Sequence, residues 1–526
     1  MSSKNHILAI DLGTSGPKVA LFSTQGELIG SEFEETQLIL SSGGGAEQSP
    51  DDWWRAIGKA VKRLLGQNLV RSEDIVAVVS TGQWSGTVPV DEEGNALSNA
   101  IIWMDARGTP YISPVVSGPL KIQGYGVDKL IRWINLTGGI PAHSGKDPIA
   151  HILYLKHVHP EIYRRTYKFL EPIDYLGLCL TGKFAASYDS ITLYWLTDTR
   201  NIHRIAYHPV LVRLSTIDAA KLPDLLPANS ILGPLRPELA REWGLRENVQ
   251  VVMGSPDILS AAVGSGAVRD YETHLYIGTS SWLTCHVPFK KTDLFHNLAS
   301  IPSAIPGRYL LANEQECAGA CLQYLRDQIF FPQDDLSTGE KPSNAYQLFD
   351  QIAERTPAGS DKVIFTPWLN GERSPVDDYA ARAGFYNQSL RTTREHLVRA
   401  VFEGVAYNAR WLLKYVEQFV QRKVESIHMV GGGAKSNIWC QIQADVLDRP
   451  IRQVKDPIEV NVRGAALLAS AALGHLRYDE IGTRVPITKT YMPNPDHRKI
   501  YDELFKEFLA IYESNRKIHA RLNRLA

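Results

Sequence analysis

Gly-Thr-Ser occurs twice, about half the chain apart, each time behind a strand-like apolar run: Ile7–Asp11 leads into Gly13-Thr14-Ser15-Gly16, and Leu275–Ile277 into Gly278-Thr279-Ser280-Ser281. Such turns suit a polyphosphate, because glycine lets the backbone approach closely with its N–H groups unshielded, while the hydroxyls add donors without bulk. Asp11, just ahead of the first turn, supplies a carboxylate that could hold hydrated Mg²⁺ or orient its own turn. Lys18 beyond it could meet phosphate or remain a solvated charge. Either turn alone is ordinary; the pair points to one nucleotide held between two halves.

A second carboxylate, Asp257, stands between a strand end and a helix start with small residues soon after it. Aspartate there is a common helix N-cap. Its chemical alternative is a base that takes a proton from an attacking hydroxyl within reach of the phosphate turns. Trp84, Trp103, Asp105 and Arg107 suit a sugar, since an aromatic face meets C–H bonds while carboxylate and guanidinium take hydroxyls. Trp103 could instead pack in the core, and Asp105 could pair with Arg107 across a loop. No glycine loop fits G-x-x-x-x-G-K-[ST], Gly264-Ser265-Gly266 is followed by Ala267, Val268 and Arg269 rather than a dinucleotide fingerprint, and no H-E-x-x-H or nucleophile elbow occurs. Phosphoryl transfer from a nucleotide is what remains.

The elements that must position these residues are readable. Ile7–Leu12, Lys18–Ser23 and Leu28–Phe33 predict an antiparallel meander. Ser49-Pro50-Asp51-Asp52 opens a helix carrying Trp54, Ile57, Val61, Leu64 and Leu65 at helical spacing, and a buried strand, Ile75–Ser80, follows. The loops Gly82–Gly86 and Trp103–Arg107 are then candidates to face a cleft, as ligand groups do beyond strand ends. Residues 112–150 read as an insertion wrapped around helical pieces. A strand at Val249–Met253 opens onto Gly254-Ser255-Pro256-Asp257, and the domain boundary is placed just before it, dividing the chain into 1–248 and 249–526. The second half repeats the theme with Thr273–Ile277 and Trp282–Val287. Later, His428–Val430 runs through Gly431–Ser436 into a helix over Asn437–Leu447, the arrangement that presents a helix N-terminus to an anion. A packing helix carrying Ile500, Leu504, Phe508, Ile511 and Tyr512 closes the chain.

With 526 residues the chain should hold at least two domains, and at 44% hydrophobic and 21% charged it is ordinary globular material. Lys+Arg 56 against Asp+Glu 57 leaves a net charge of -1, so no basic field draws in nucleic acid or anionic membrane, and a small ligand is expected. Five scattered cysteines complete no zinc set and read as reduced, buried thiols. No signal peptide or membrane-spanning run is evident, so a cytoplasmic location is expected. The assembly state stays open, a homodimer included.

Nine stretches, in order along nearly the whole chain, resemble the FGGY family of carbohydrate kinases, nearest its xylulokinases and more loosely its glycerol kinases. They are Ile10–Lys18, Trp103–Arg107, Phe169–Thr181, Gly254–Gly264, Tyr276–Ser281, Gly319–Leu325, Thr366–Pro375, Gly431–Asp445 and Gly464–Gly474. The resemblance implies an α/β fold of two ribonuclease-H-like domains of the actin/hexokinase type, closing on Mg-ATP to phosphorylate a hydroxyl of a small sugar or polyol, a pentulose such as xylulose first. It matches Asp257 to the catalytic base, Asp11 to the acid near the metal, Thr14, Ser15, Gly16 and Lys18 to the first phosphate loop, and Thr279 to the second. Gly319, Gln323, Gly432 and Ser436 match positions around the nucleotide, and Gln83, Trp84 and Ser85 stand at the sugar, with Trp103, Asp105 and Arg107 nearby. Xylulokinases typically carry Met-His-Gly after that glutamine and glycerol kinases Arg-Glu-Thr; Trp84-Ser85-Gly86 departs from both, as do Pro256 and Ile258 around Asp257. Ribulose or another polyol, a member that binds sugar or nucleotide with little turnover, and an actin-like nucleotide switch are the alternatives.

Overall fold

The computed structural model describes residues 5–332, 334–335 and 341–523. Two sheets organise the chain, and their topologies repeat. In the first, the meander His6–Gly13, Gly16–Ser23 and Leu28–Phe33 is continued by Ile75–Gly82 and Gln250–Val252, both parallel to His6–Gly13, and is closed by the antiparallel strand Ile231–Pro234. The second begins on Thr273–Ile277, with Ser281–Val287 antiparallel beside it and Tyr309–Ala312 antiparallel to that strand in turn. On its other side come parallel Ile427–Val430 and Ile451–Val454, then antiparallel Ile487–Tyr491. The predicted meander and second-half strands therefore form, and equivalent loops leave equivalent strands in each half.

One boundary moves. The strand expected to open the second half pairs with Ile75–Gly82 in the first sheet, so the division at 248/249 falls one strand early. Parallel pairing is non-local, and nothing in the apolar run Val249–Met253 says which sheet it joins.

The central strand is buried on both faces, which is why it reads as a continuous apolar run. Leu8, Ile10 and Leu12 pack toward the helix Pro50–Gly66 through Trp53, Ile57 and Val61, and that helix is capped as expected by Ser49, whose hydroxyl accepts from Asp52 N–H at 3.3 Å. Ile7 and Ala9 pack oppositely, on Val462, Ala465, Ala466 and Ala469. These belong to the helix Val460–Ala472, which leaves the second sheet but covers the first.

That helix meets its structural counterpart, Asp257–Gly264, backbone to backbone. A Cβ on Gly464 would lie 1.8 Å from the Ser260 carbonyl oxygen, and one on Gly264 1.9 Å from that of Val460. The two halves are thus joined by helices that each start beside a loop of the cleft. Gly464→Ala should force the pair apart, at a cost of about 1–3 kcal/mol, read as a lowered thermal midpoint. A wild-type midpoint would show that the contact yields freely.

The insertion at 112–150 holds helices Thr109–Val116, Val127–Thr137 and Pro148–Val158 around a small hairpin. The C-terminal helix, Arg498–Leu522, buries Tyr501, Leu504, Phe508 and Tyr512, and Tyr501 Oη bonds Glu403 and Arg399 of the long helix Arg394–Val420 at 2.9 Å each. All five cysteines are free thiols.

Candidate active site

Asp11 stands two residues before the end of the first strand, opposite Lys18 in the meander register. Its Oδ2 accepts from Asn461 Nδ2 at 3.2 Å, while Oδ1 is buried without a hydrogen-bond partner among the described residues. Burial raises its pKa to about 6, against the opposing pull of Lys18 and the Asn461 bond; Glu459 adds to the rise. An orphaned carboxylate oxygen near a strand end is a fit for a hydrated cation, which would relieve that burial. Lys18 is held rather than free: its Nζ pairs with Glu459 at 3.2 Å and donates to the Ile458 carbonyl at 3.0 Å.

The first turn follows directly. Gly16 sits at φ +141°, where a Cβ would lie 2.0 Å from the Glu34 carbonyl oxygen, so only glycine closes it. Ser15 is exposed; Thr14 accepts from Trp103 Nε1 at its hydroxyl (3.0 Å) and from Gln48 Nε2 at its carbonyl (2.8 Å). Trp103, 42% exposed, therefore leans on the phosphate turn. The second turn leaves Thr279 exposed, and the Thr279 carbonyl accepts the N–H groups of Ala318 and Ala320. Gly319 opens the next helix so close to this turn that a Cβ would lie 2.4 Å from the Gly278 oxygen.

Asp257 is not an N-cap. Pro256 occupies the cap position, and Asp257 is the first helical residue, half-buried, with Oδ1 accepting from Ile258 N–H at 2.8 Å. In the loop before it Gly254 sits at φ +82°, and a Cβ there would clash with the Ser80 carbonyl at 1.9 Å. Burial first, then the negative fields of Asp11 and Glu314, raise the Asp257 pKa to about 7. Asp257 thus feels the field of the Asp11 carboxylate.

The loop expected to meet a sugar is partly committed. Gln83 is buried, donating through Nε2 to Gln48 Oε1 at 2.8 Å with its own Oε1 unpartnered among the described residues. Trp84 donates to the Ser190 carbonyl at 2.7 Å and packs against the core cluster that holds Leu259. Ser85, at φ +64°, donates to the Lys146 carbonyl at 2.9 Å. Asp105 and Arg107 pair with each other: Arg107 Nη2 lies 2.6 Å from Asp105 and 2.5 Å from Glu47, and Asp105 also accepts Ala46 N–H at 2.9 Å. With 1% exposure and both oxygens occupied, Asp105 braces its loop rather than facing a ligand.

Around the nucleotide side, Gly432 is exposed with open space where a Cβ would point, and Gln323 is exposed on its helix. Ser436 caps the helix Asn437–Leu447, accepting Trp439 N–H at 3.1 Å and donating to Asp350 at 2.6 Å, so its hydroxyl is already used.

Sequence reasoning missed several cleft residues. Asn461 and Glu459, at the start of the interlocking helix, reach Asp11 and Lys18. Tyr276, stacked on Trp282 at 4.0 Å, has its pKa driven up by burial and then by Asp257 and Asp11. Arg373 pairs with Glu314 and, at 2.6 Å, with Glu316, inside a stretch the family resemblance quoted without a role. Only sheet topology brings Asn461 within reach of a residue 450 positions earlier.

Two duplicated α/β domains joined through paired helices, each with a glycine–hydroxyl turn between its first pair of antiparallel strands, suit a nucleotide-dependent phosphotransferase. The profile of the FGGY carbohydrate kinase N-terminal domain matches residues 6–264 and that of the C-terminal domain residues 275–473. The chain belongs to the FGGY family of carbohydrate kinases, whose members take phosphate from ATP, and is a sugar kinase. It is 28% identical to the xylulose kinase of Staphylococcus epidermidis over 523 residues, 99% of each chain. It is 24% identical to the gluconokinase of Bacillus licheniformis over 507 residues, 96% of this chain and 95% of that one. The ligand-bound xylulose kinase structure from Lactobacillus acidophilus shares its fold with a TM-score of 0.85 at 23% identity, covering 99% of this chain and 100% of that one. No helix among the described residues is long and apolar enough to cross a membrane.

Proposed function

We propose that this chain phosphorylates a hydroxyl of an uncharged small sugar, a pentulose such as xylulose in the first instance, with Asp257 as general base. The observation that carries the proposal is the Asp257 carboxyl: it opens a helix at the junction of the two domains without capping it, in the field of Asp11 and Glu314. The xylulose kinase relatives agree with a pentulose. Gluconokinase relatives raise a sugar acid as the competitor. Against it, the Asp257 carboxyl already lies in the negative fields of Asp11 and Glu314, which oppose a further anionic group beside it.

In this reading the sugar hydroxyl oxygen attacks the γ-phosphorus in line, its proton passes to an Asp257 oxygen, and the bond to the bridging oxygen breaks as ADP leaves. Thr14, Ser15, Gly16, Lys18 and Thr279 hold the phosphates; Gly319, Gln323, Gly432 and Ser436 frame the rest of the nucleotide. Asp11 would hold hydrated Mg²⁺, which neutralises phosphate charge when bound. Gln83, Trp84 and Ser85 line the sugar end, with Trp103 joining it to the phosphate turn. Closure of the domains excludes water that would otherwise accept the phosphoryl group.

A coupled ADP-release assay over ketoses, aldoses, polyols and aldonates tests this. Release stimulated by a pentulose is the expected result; an aldonate as the preferred acceptor would overturn the uncharged-sugar reading, and no acceptor above the bare protein would overturn the kinase chemistry as drawn.

The pH dependence has a defined sign. A general base acts only when unprotonated, and Asp257 sits at about 7 instead of the ordinary carboxylate range. The kcat/KM for the sugar should therefore rise roughly tenfold per unit below about pH 7 and level above it. A profile flat down to pH 5 would exclude a base with that environment.

A further inference from the structure

The loop that delivers Asp257 is gripped from two sides. Thr81 Oγ1 donates to the Ser255 carbonyl at 2.7 Å and Ser260 Oγ to the same oxygen at 3.1 Å, tying the loop to the strand Ile75–Gly82 and to its own helix. On the other side Ser255 Oγ donates to Asp189 Oδ2, with both residues fully buried. Asp189 lies 66 positions away, just after the short strand Ala185–Ser187.

Its neighbour Ser190 holds the sugar loop: the Ser190 carbonyl accepts Trp84 Nε1 at 2.7 Å, and Ser190 Oγ donates to buried Asp174 at 2.8 Å. One two-residue turn therefore bonds the loop carrying the base with one residue and the indole at the sugar end with the next. Trp84 and Ile258, the residue after Asp257, both pack against the core cluster that holds Leu259. Burial raises the Asp189 carboxyl to about 6, against the lowering pull of its hydrogen bonds, that of Ser255 first. Burying a carboxyl is costly for the fold, and such departures from local optimality concentrate at functional sites.

We propose that Asp189 is a positioning residue: by receiving the Ser255 hydroxyl it sets the aim of the Asp257 carboxyl, and through the adjoining Ser190 carbonyl it makes that aim and the seating of a sugar against Trp84 properties of one rigid turn. This rests on Asp257 being the base. Misplacement of a reacting group by about 1 Å costs up to roughly a hundredfold, and the loss should fall on turnover rather than on nucleotide binding.

The test uses full-length protein, with active sites counted by equilibrium ATP binding. Ser255→Ala and Asp189→Ala should each lower kcat per site about 10- to 100-fold at unchanged KM for ATP. Asp189→Asn keeps an oxygen that can accept the serine hydroxyl and should recover most of the loss. The Ser255→Ala/Asp189→Ala double variant should be no worse than the poorer single one, because both break the same bond. Wild-type kcat in Ser255→Ala, which removes one oxygen and needs no refolded core, would overturn the proposal, as would losses that multiply in the double variant. Near-normal turnover by Asp257→Asn would defeat the general-base reading itself, separately from anything the serine variants show.

Discussion

Asp257→Asn should lose roughly a hundred- to ten-thousand-fold in turnover, the span that a positioned base contributes, while still binding ATP. The substitution keeps size and leaves an oxygen to accept the Ile258 N–H at the start of the helix. It removes a negative charge that burial, Asp11 and Glu314 all oppose. On stability the sign is clear: a carboxyl raised in the folded state contributes stability below its unfolded pKa and forfeits it as pH rises through about 7. At pH 8 the asparagine variant should then be as thermally stable as wild type or more so. Lost turnover with retained stability is the diagnostic combination. Turnover within a few-fold of wild type would remove Asp257 as the base, and turnover lost together with thermal stability would mean that the carboxylate holds the helix and not the reaction.

Which parts of this were legible beforehand follows from the range of the interactions. The meander, the Ser49-capped helix and the helix Asn437–Leu447 were readable because alternation, caps and helical spacing are local signals. The pairing of Asp105 with Arg107 was visible as an alternative, since two residues apart in a loop they reach each other without help from the fold. The sheet joined by Gln250–Val252 was not visible, because parallel partners are chosen across long crossovers. Nor were Asn461, Tyr276, Glu314 and Arg373. Each is an ordinary residue until the duplicated sheets set its strand end or helix start against the cleft. Ser436 shows the opposite limit: the motif placed it at the nucleotide, while its hydroxyl is spent on a cap and on Asp350.

The field at Asp257 bears on Asp11 as well. Asp257 lies in the negative field of Asp11, so keeping both ionised at neutral pH costs stability. A bound cation at Asp11 would lower that cost and return Asp257 toward readiness as a base, coupling nucleotide occupancy to the chemistry. Asp11→Asn should consequently reduce Mg-ATP-dependent turnover about 10- to 100-fold and move half-maximal activity to higher Mg²⁺, with sugar affinity in the absence of nucleotide unchanged. Its thermal midpoint at pH 8 should hold or rise, because Asp11, raised to about 6 by burial, contributes stability only below that range. The apo protein's fold does not need the charge, and the Asn461 side chain can still pair with an amide in its place. Equal losses of turnover and of nucleotide-free sugar binding would assign Asp11 to the architecture of its turn, and an unchanged Mg²⁺ requirement would place the cation elsewhere in the cleft.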